Sequence, residues 1–300
     1  MNKNFIDKQV LYTQTLYDER LRRIKKNFII DLSKMVALEE FKKMCAGELL
    51  IDHSFMEDII NILEMQIIAQ DHLTMMDFKK QLPNKYELVP ISEFQKYEAE
   101  YYKRVTKYYE KRLKTIEKMP DKETYLTKQI KNFDEIEKFI PYYHNGEPKS
   151  WHKLSTYNSM LFNVNLTRSG WNQTYKDSIL LDKDLMQLAP HPNSCPVCAE
   201  HQGKIYSIHG TTSGYKTIDK AIEEGVGHPN CKCEWVLFYD DEVEVVPDPE
   251  GYEQDQKEKA IERLTKDYET DLELYSYIGN EQMVDKTIEK LQKLGSEQMI

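Results

Sequence analysis

A chain of 300 residues with 40% hydrophobic and 31% charged side chains carries enough apolar surface for a sizeable core, and its length suggests two domains. No apolar run approaches the roughly 20 residues that a membrane-spanning helix needs, and Met1–Asp7 lacks the apolar segment of a secretory signal, so a reducing compartment without membrane partners is expected. The net charge of -10 is uneven: from Asp240 onward 18 acidic side chains stand against 7 basic ones, which leaves residues 1–239 at +1 and confines the acidity to the tail.

The first half reads as helices. Phe5, Val10, Leu11, Leu16, Leu21, Ile24 and Phe28 recur every three to four residues with charges between them, as an amphipathic helix requires. Ser33 is placed to cap a second helix running to Cys45, with Gly47 as its stop. Ser54–Leu82 is apolar nearly all round and ends at Pro83; its methionines (Met56, Met65, Met75 and Met76) fit core filler better than a partner surface. Ile91–Met119 predicts another long helix. Within it Tyr101, Tyr102, Lys103, Arg104, Lys107, Tyr108, Tyr109, Lys111, Arg112 and Lys114 interleave aromatic and basic residues. Such a face can bind nucleic acid, but the same spacing makes an apolar stripe with a solvated basic side, which is the simpler reading. Asp121 would cap a helix to Ile140, stopped by Pro141, and Cys45 sits alone in a helix as a core residue.

The Gly/Pro-punctuated stretch around Gly146 suggests a boundary. Beyond it, helices over Trp151–Arg168 and Trp171–Leu180, broken at Ser169-Gly170, lead into a different pattern. Leu185–Ala189, Lys204–Ile208 and Glu234–Tyr239 read as strands, and Thr217–Glu224 as a short helix stopped by Gly225 and Gly227. Pro247, Pro249 and Gly251 separate this lobe from a tail whose segments Gln254–Leu274 and Glu281–Leu294 suit exposed helices. The expected fold is therefore α+β. It comprises a long-helix domain over 1–146, a small α+β lobe within 147–246 and an acidic helical or flexible tail over 247–300.

Four of the five cysteines fall in two pairs, Cys195-Pro196-Val197-Cys198 and Cys231-Lys232-Cys233, with His228 three residues before Cys231. Short turns of this kind each deliver two donors to one point, so Cys195, Cys198, His228, Cys231 and Cys233 are candidate ligands of a structural Zn²⁺. Five donors for four positions leave one spare, Cys233 or His228 supporting from behind. A disulfide pair or an unmetalled cysteine cluster are the alternatives. The catalytic patterns fail: His191-Pro192-Asn193 lacks the glutamate of a zinc deaminase, no histidine is followed by glutamate, and neither a nucleophile elbow nor a phosphate loop is present. His191, His201 and His209 remain as components of a zinc-stapled nuclease, against the plainer role of surface or capping residues.

Ser194–Cys198, His201-Gln202-Gly203-Lys204-Ile205-Tyr206 and Gly227–Cys233 resemble the Mu F-like head morphogenesis (minor head) proteins of tailed bacteriophages, as does Leu154–Tyr175 ahead of the first pair. The resemblance covers roughly 151–240; Lys232 stands where the family usually has arginine, and the insert from His209 to Gly225 departs from shorter members. It implies a non-enzymatic, low-copy protein of the virion interior, made in the host cytoplasm, that associates with the portal during capsid assembly. Scaffold or capsid protein and double-stranded DNA, during packaging or ejection, are further implied partners. A nuclease-like or toxin-like effector and a host zinc-binding adaptor are the other readings.

Overall fold

The computed structural model describes residues 3–50, 91–144, 147–191, 194–228, 231, 233–239 and 249–297. The apolar helix expected over Ser54–Leu82 lies outside them. In chain order the elements are helices α1 (Lys3–Ser33), α2 (Leu38–Leu50), α3 (Ile91–Ile116) and α4 (Lys122–Glu137), then strands β1 (Lys138–His144) and β2 (Glu147–Lys153). Helix α5 (Leu154–Leu180), strand β3 (Leu185–Leu188), helix α6 (Pro196–Ala199), strand β4 (Ile205–Ser207), helix α7 (Ile218–Glu223) and strand β5 (Trp235–Leu237) follow. Helices α8 (Pro249–Ile278) and α9 (Glu281–Glu297) close the chain. The class is α+β, with long helices and small antiparallel sheets. Among the described residues no helix is long and apolar enough to cross a membrane.

Several boundaries differ from expectation for local reasons. Helix α1 runs through Ser33, whose hydroxyl donates back to the Ile30 carbonyl at 2.7 Å instead of capping the next helix. The turn that ends α1 is made by Met35 at φ 56°, with its amide on the Leu32 carbonyl and that of Val36 on Asp31, a left-handed cap. Gly47 lies inside α2, which continues to Leu50. Asp121 does cap α4, accepting from the Thr124 amide at 3.0 Å, but α4 stops at Glu137 and Pro141 sits within β1. The predicted break at Ser169-Gly170 does not occur, since α5 passes through both and begins only at Leu154; Trp151 belongs to β2.

The chain divides into two compact units. The first takes in the described residues up to 50, Ile91–Ser159 and those from Glu258 onward; the second holds Met160–Lys257. The first unit is built round the face of α1 that carries Leu21, Ile24, Phe28 and Leu32, all buried as the three-to-four-residue spacing requires. Phe28 packs edge-on to Phe41 and Tyr109 at 5.8 and 5.5 Å, and Phe41 stacks on Tyr109 at 3.8 Å. Tyr101, Val105 and Tyr109 of α3 are fully buried, so its aromatic face is core. Cys45 is buried as well.

The C-terminal helices are not exposed appendages. Ile261, Leu274 and Tyr275 of α8 are buried, and its acidic residues meet the basic side of α1. Lys25, itself 5% exposed, donates to Asp271 and to Asp134 of α4, both at 2.8 Å. Arg22 pairs with Asp267 at 3.4 Å and Lys26 with Glu273. The turn into α9 uses Gly279 at φ 81°, and Asn280 then caps α9 by accepting from the Met283 amide at 3.0 Å.

Candidate metal centre

The second unit is a three-stranded antiparallel sheet in the order β4-β3-β5, backed by α5 and α7. Its core joins Trp171 and Tyr175 of α5 to Met186, Leu188, Tyr206, Ile218, Val226 and Trp235. Trp235 lies edge-on to Trp171 at 6.2 Å and to Tyr206 at 5.4 Å. Cys198, Cys231 and Cys233 belong to this same core, each at most 4% exposed.

Two turns bring the sulfurs there. Cys195 caps the single-turn helix α6, whose Pro196 is pre-set for the first helical position, and its Sγ accepts from the Cys198 amide at 3.3 Å. That one turn places two sulfurs side by side. The second turn begins where α7 ends: Gly225 and Gly227 adopt φ 112° and 85°, and the Cys231 amide bonds the His228 carbonyl at 2.9 Å. Helix α5 then anchors it, with Thr167 Oγ1 donating to the Cys231 carbonyl at 3.0 Å and Trp171 Nε1 to the Cys233 carbonyl at 2.8 Å.

Gly227 is required twice. Its φ is one that L side chains rarely adopt, and a Cβ there would stand 2.5 Å from Trp171 Cη2. Gly227→Ala is expected to destabilise this unit by about 2–4 kcal/mol, through overpacking and backbone strain together. A urea melt followed by the fluorescence of Trp171 and Trp235 measures it; an unchanged midpoint would contradict this account of the turn.

The candidate donors form two overlapping groups, Cys195 with Cys198 and His228, and Cys198 with Cys231 and Cys233; within each, all donor atoms lie within 4.8 Å of one another. Cys198 Sγ is 3.6 Å from Cys231 Sγ, Cys195 Sγ is 2.9 Å from His228 Nε2, and His191 Nε2 is 3.4 Å from Cys233 Sγ. All five cysteines are free thiols, and 3.6 Å far exceeds the roughly 2.05 Å of a disulfide bond.

The donor chemistry fits a divalent cation. Two thiolates on one tetrahedral Zn²⁺ at about 2.3 Å each stand about 3.8 Å apart, close to the Cys198–Cys231 spacing. Hydrogen bonds from Cys198 and Cys233 hold the Cys231 thiol far below its ordinary value, while Cys198 is driven far above its own by that same bond to Cys231 and by burial. A cation would let the three ionise together. Ser194 Oγ, both polar atoms of the Gln202 amide and Trp235 Nε1 are buried and have no hydrogen-bond partner among the described residues.

The histidines considered for catalysis do not converge. His201 is buried with Nδ1 2.7 Å from the Tyr206 hydroxyl, and burial holds its pKa down. His209 packs edge-on against Tyr175 at 5.8 Å, and its amide donates to Asp184. His191 lies at Cys233.

Asp184 organises the loop from His209 to Thr212, a role absent from the sequence reading. Its carboxylate accepts from Ser207 Oγ and Thr212 Oγ1, both at 2.6 Å, and from the amides of His209 and Thr212. Burial alone would raise its pKa, but these hydrogen bonds outweigh it and hold the carboxyl well below the usual range. The short polar side chains at 207 and 212 were its only sequence trace.

The basic stretch of α3 also sorts out. Arg104 is engaged, its Nε on the Ile136 carbonyl and its guanidinium 5.1 Å above the Phe139 ring. Lys107, Lys111, Lys114 and Lys118 instead line an open groove of about 520 Å³ together with Glu110, which pairs with Lys114 at 2.6 Å.

A family model described as phage minor capsid protein 2 matches residues 137–298, a little over half of the chain. No curated protein and no solved structure matches.

Proposed function

The chain belongs to the phage minor capsid protein 2 family, and from that premise we propose that this phage head protein is a low-copy component of the virion interior which joins the portal during capsid assembly. The observation that carries the reading is the family match over residues 137–298, which takes in both the cysteine lobe and the C-terminal helices. The portal itself is supported by the likeness of Ser194–Tyr206 and Gly227–Cys233 to minor head proteins. A structural role agrees with a cysteine-rich donor set that can close a metal shell without an open position for substrate water.

Zinc, in this reading, staples the lobe, and the ligands come from Cys195, Cys198, His228, Cys231 and Cys233 with His191 nearby. The helices of the first unit supply the docking surface. The C-terminal helices must be present for docking, because α8 contributes Leu274 and Tyr275 to the core of that unit.

The full-length protein should co-sediment with purified portal rings of its own phage, and Lys107→Glu/Lys111→Glu should weaken retention on duplex DNA. DNA retention should fall steeply with salt, because it would rest on phosphate neutralisation. Failure to bind the portal, in the presence of zinc, would sink the portal assignment. Salt-insensitive retention of DNA would overturn the assignment to the lysine groove.

A further inference from the structure

The C-terminal helices meet the first unit through charge as much as through apolar burial. We propose that α8 from Glu258 onward, together with α9, is a salt-labile strap. It opens as one piece while α1–α4 stay folded, and it uncovers the side of α1 that carries Arg22, Lys25 and Lys26. Ionic strength then sets how often that side is open to a partner. The inference stands apart from the zinc and portal readings.

Register is the first support. Arg22 pairs with Asp267, Lys25 with Asp271 and Lys26 with Glu273, and the Ser33 hydroxyl lies 3.2 Å from that of Tyr277. The partners stand 244 to 246 positions apart wherever a hydrogen bond joins them, so the two helices run parallel with their charges matched turn by turn. At the start of this ladder the signs reverse, and Asp18 feels the positive charges of Arg263 and Lys266. A seam of alternating sign fixes one register and weakens as salt screens it.

Packing is the second. Phe28 of α1 meets Phe41 of α2, Tyr109 of α3 and Phe133 of α4 at 5.8, 5.5 and 5.1 Å, a cluster whose rings come from those four helices themselves. The strap is anchored more lightly. Ile261, Leu274 and Tyr275 are its buried apolar residues, and in α9 only Thr287 is buried among the described residues. Leu264, Tyr277 and Ile288 are exposed.

The third is the seam itself. A polar cavity of about 210 Å³ lies along it, with Asp18, Arg22, Glu137 and Lys153 on one side and Arg263 and Asp267 of α8 on the other. Lys153 bridges Glu137 and Asp267 at 3.4 and 3.6 Å. The side chains of Arg22, Lys26, Asp267 and Glu273 remain 18% to 62% exposed, within reach of counter-ions. Lys25 is the exception: buried between Asp134 and Asp271, it fixes the closed position.

The test is amide hydrogen exchange on the full-length chain, read by mass spectrometry at about 0.1 M and about 1 M NaCl, where the screening length falls from about 10 Å to about 3 Å. High salt should speed exchange across residues 258–297 at least about tenfold and leave the core of α1 and α3 within about twofold, because several screened pairs act on one cooperative piece. At low salt Arg22→Glu should open the strap in the same way. Arg22→Glu combined with Asp267→Lys should close it again, since the reversed pair continues the signs that Asp18 and Arg263 begin. That recovery separates loss of the seam from a general folding defect. Exchange of 258–297 in step with α1–α4, or rates indifferent to salt, would overturn the strap. A double variant no better protected than the single one would overturn the paired register.

Discussion

Cys198→Ser is expected to abolish metal retention and unfold the second unit while the helices of the first keep their shape. Cys198 is fully buried, and its sulfur belongs to both donor groups. Structural zinc couples its binding free energy, apparent values of roughly 10–16 kcal/mol in small metal domains, directly to folding. Among the described residues this core draws on three short strands, two short helices and one side of α5, a small apolar core that a metal clip would reinforce. Trp171 and Trp235 are buried in that core and Trp151 is 58% exposed, so emission should shift to the red as two of the three tryptophans meet water. Far-UV ellipticity should fall only slightly, since α1–α4 and the greater part of α8 and α9 lie in the other unit. Chelator treatment of wild type should give the same spectra. Loss of helix content throughout would refute the independence of the two units, and unchanged emission would refute the metal staple.

Lys25→Met is expected to destabilise the first unit by about 3–5 kcal/mol, the usual result of removing one partner from a buried ion pair. Lys25 bonds both Asp134 and Asp271, at 2.8 Å each, and its loss leaves two carboxylates without this counter-charge. Combining Lys25→Met with Asp134→Leu and Asp271→Leu should recover most of the loss, because an apolar cluster of similar volume carries no charge to desolvate. Urea titration of the single and triple variants measures both steps. A single variant within 0.5 kcal/mol of wild type, by the usual size of surface effects, would mean that the seam is solvated and unimportant.

The pH dependence has a definite sign. Burial acts to lower the Lys25 pKa, but attraction to Asp271 and then Asp134 outweighs it and sets the folded value above the ordinary 10.5. A raised lysine contributes stability that is complete below the unfolded value and is lost as pH rises through the folded one. The gap between wild type and Lys25→Met should therefore hold from neutral pH to about 10 and narrow above it. Asp271 is also pushed upward, by burial against the pull of Lys25. With two acids on one ammonium the excess negative charge sits on the acids, so Lys25 keeps its proton to higher pH while Asp271 gives up its own later.

Much of the centre was legible because its causes are local. Cys195 and Cys198 share a turn whose cap lies three residues away, and Thr217, Gly225 and Gly227 frame α7 within one short segment. Asp121 and the apolar stripe of α1 were legible for the same reason: a cap and a helical face are fixed by neighbours three or four positions away.

What the sequence did not show depends on residues far apart in the chain. Ser169-Gly170 reads as a break, yet α5 continues through it, Thr167 and Trp171 on either side being fixed to the carbonyls of Cys231 and Cys233 more than sixty positions on. The acidic tail reads as a solvated appendage because net charge says nothing of pairing; only the folded chain sets Asp271 against Lys25 across 246 positions. His191 likewise carries no motif and acquires its place when β3 and β5 pair and bring it to Cys233. Sequence alone determined which short segments turn, cap and offer thiol donors, since those energies close within a few residues. Tertiary packing decided which charges are buried and which donors converge, because only the folded core brings them into the same low-dielectric space.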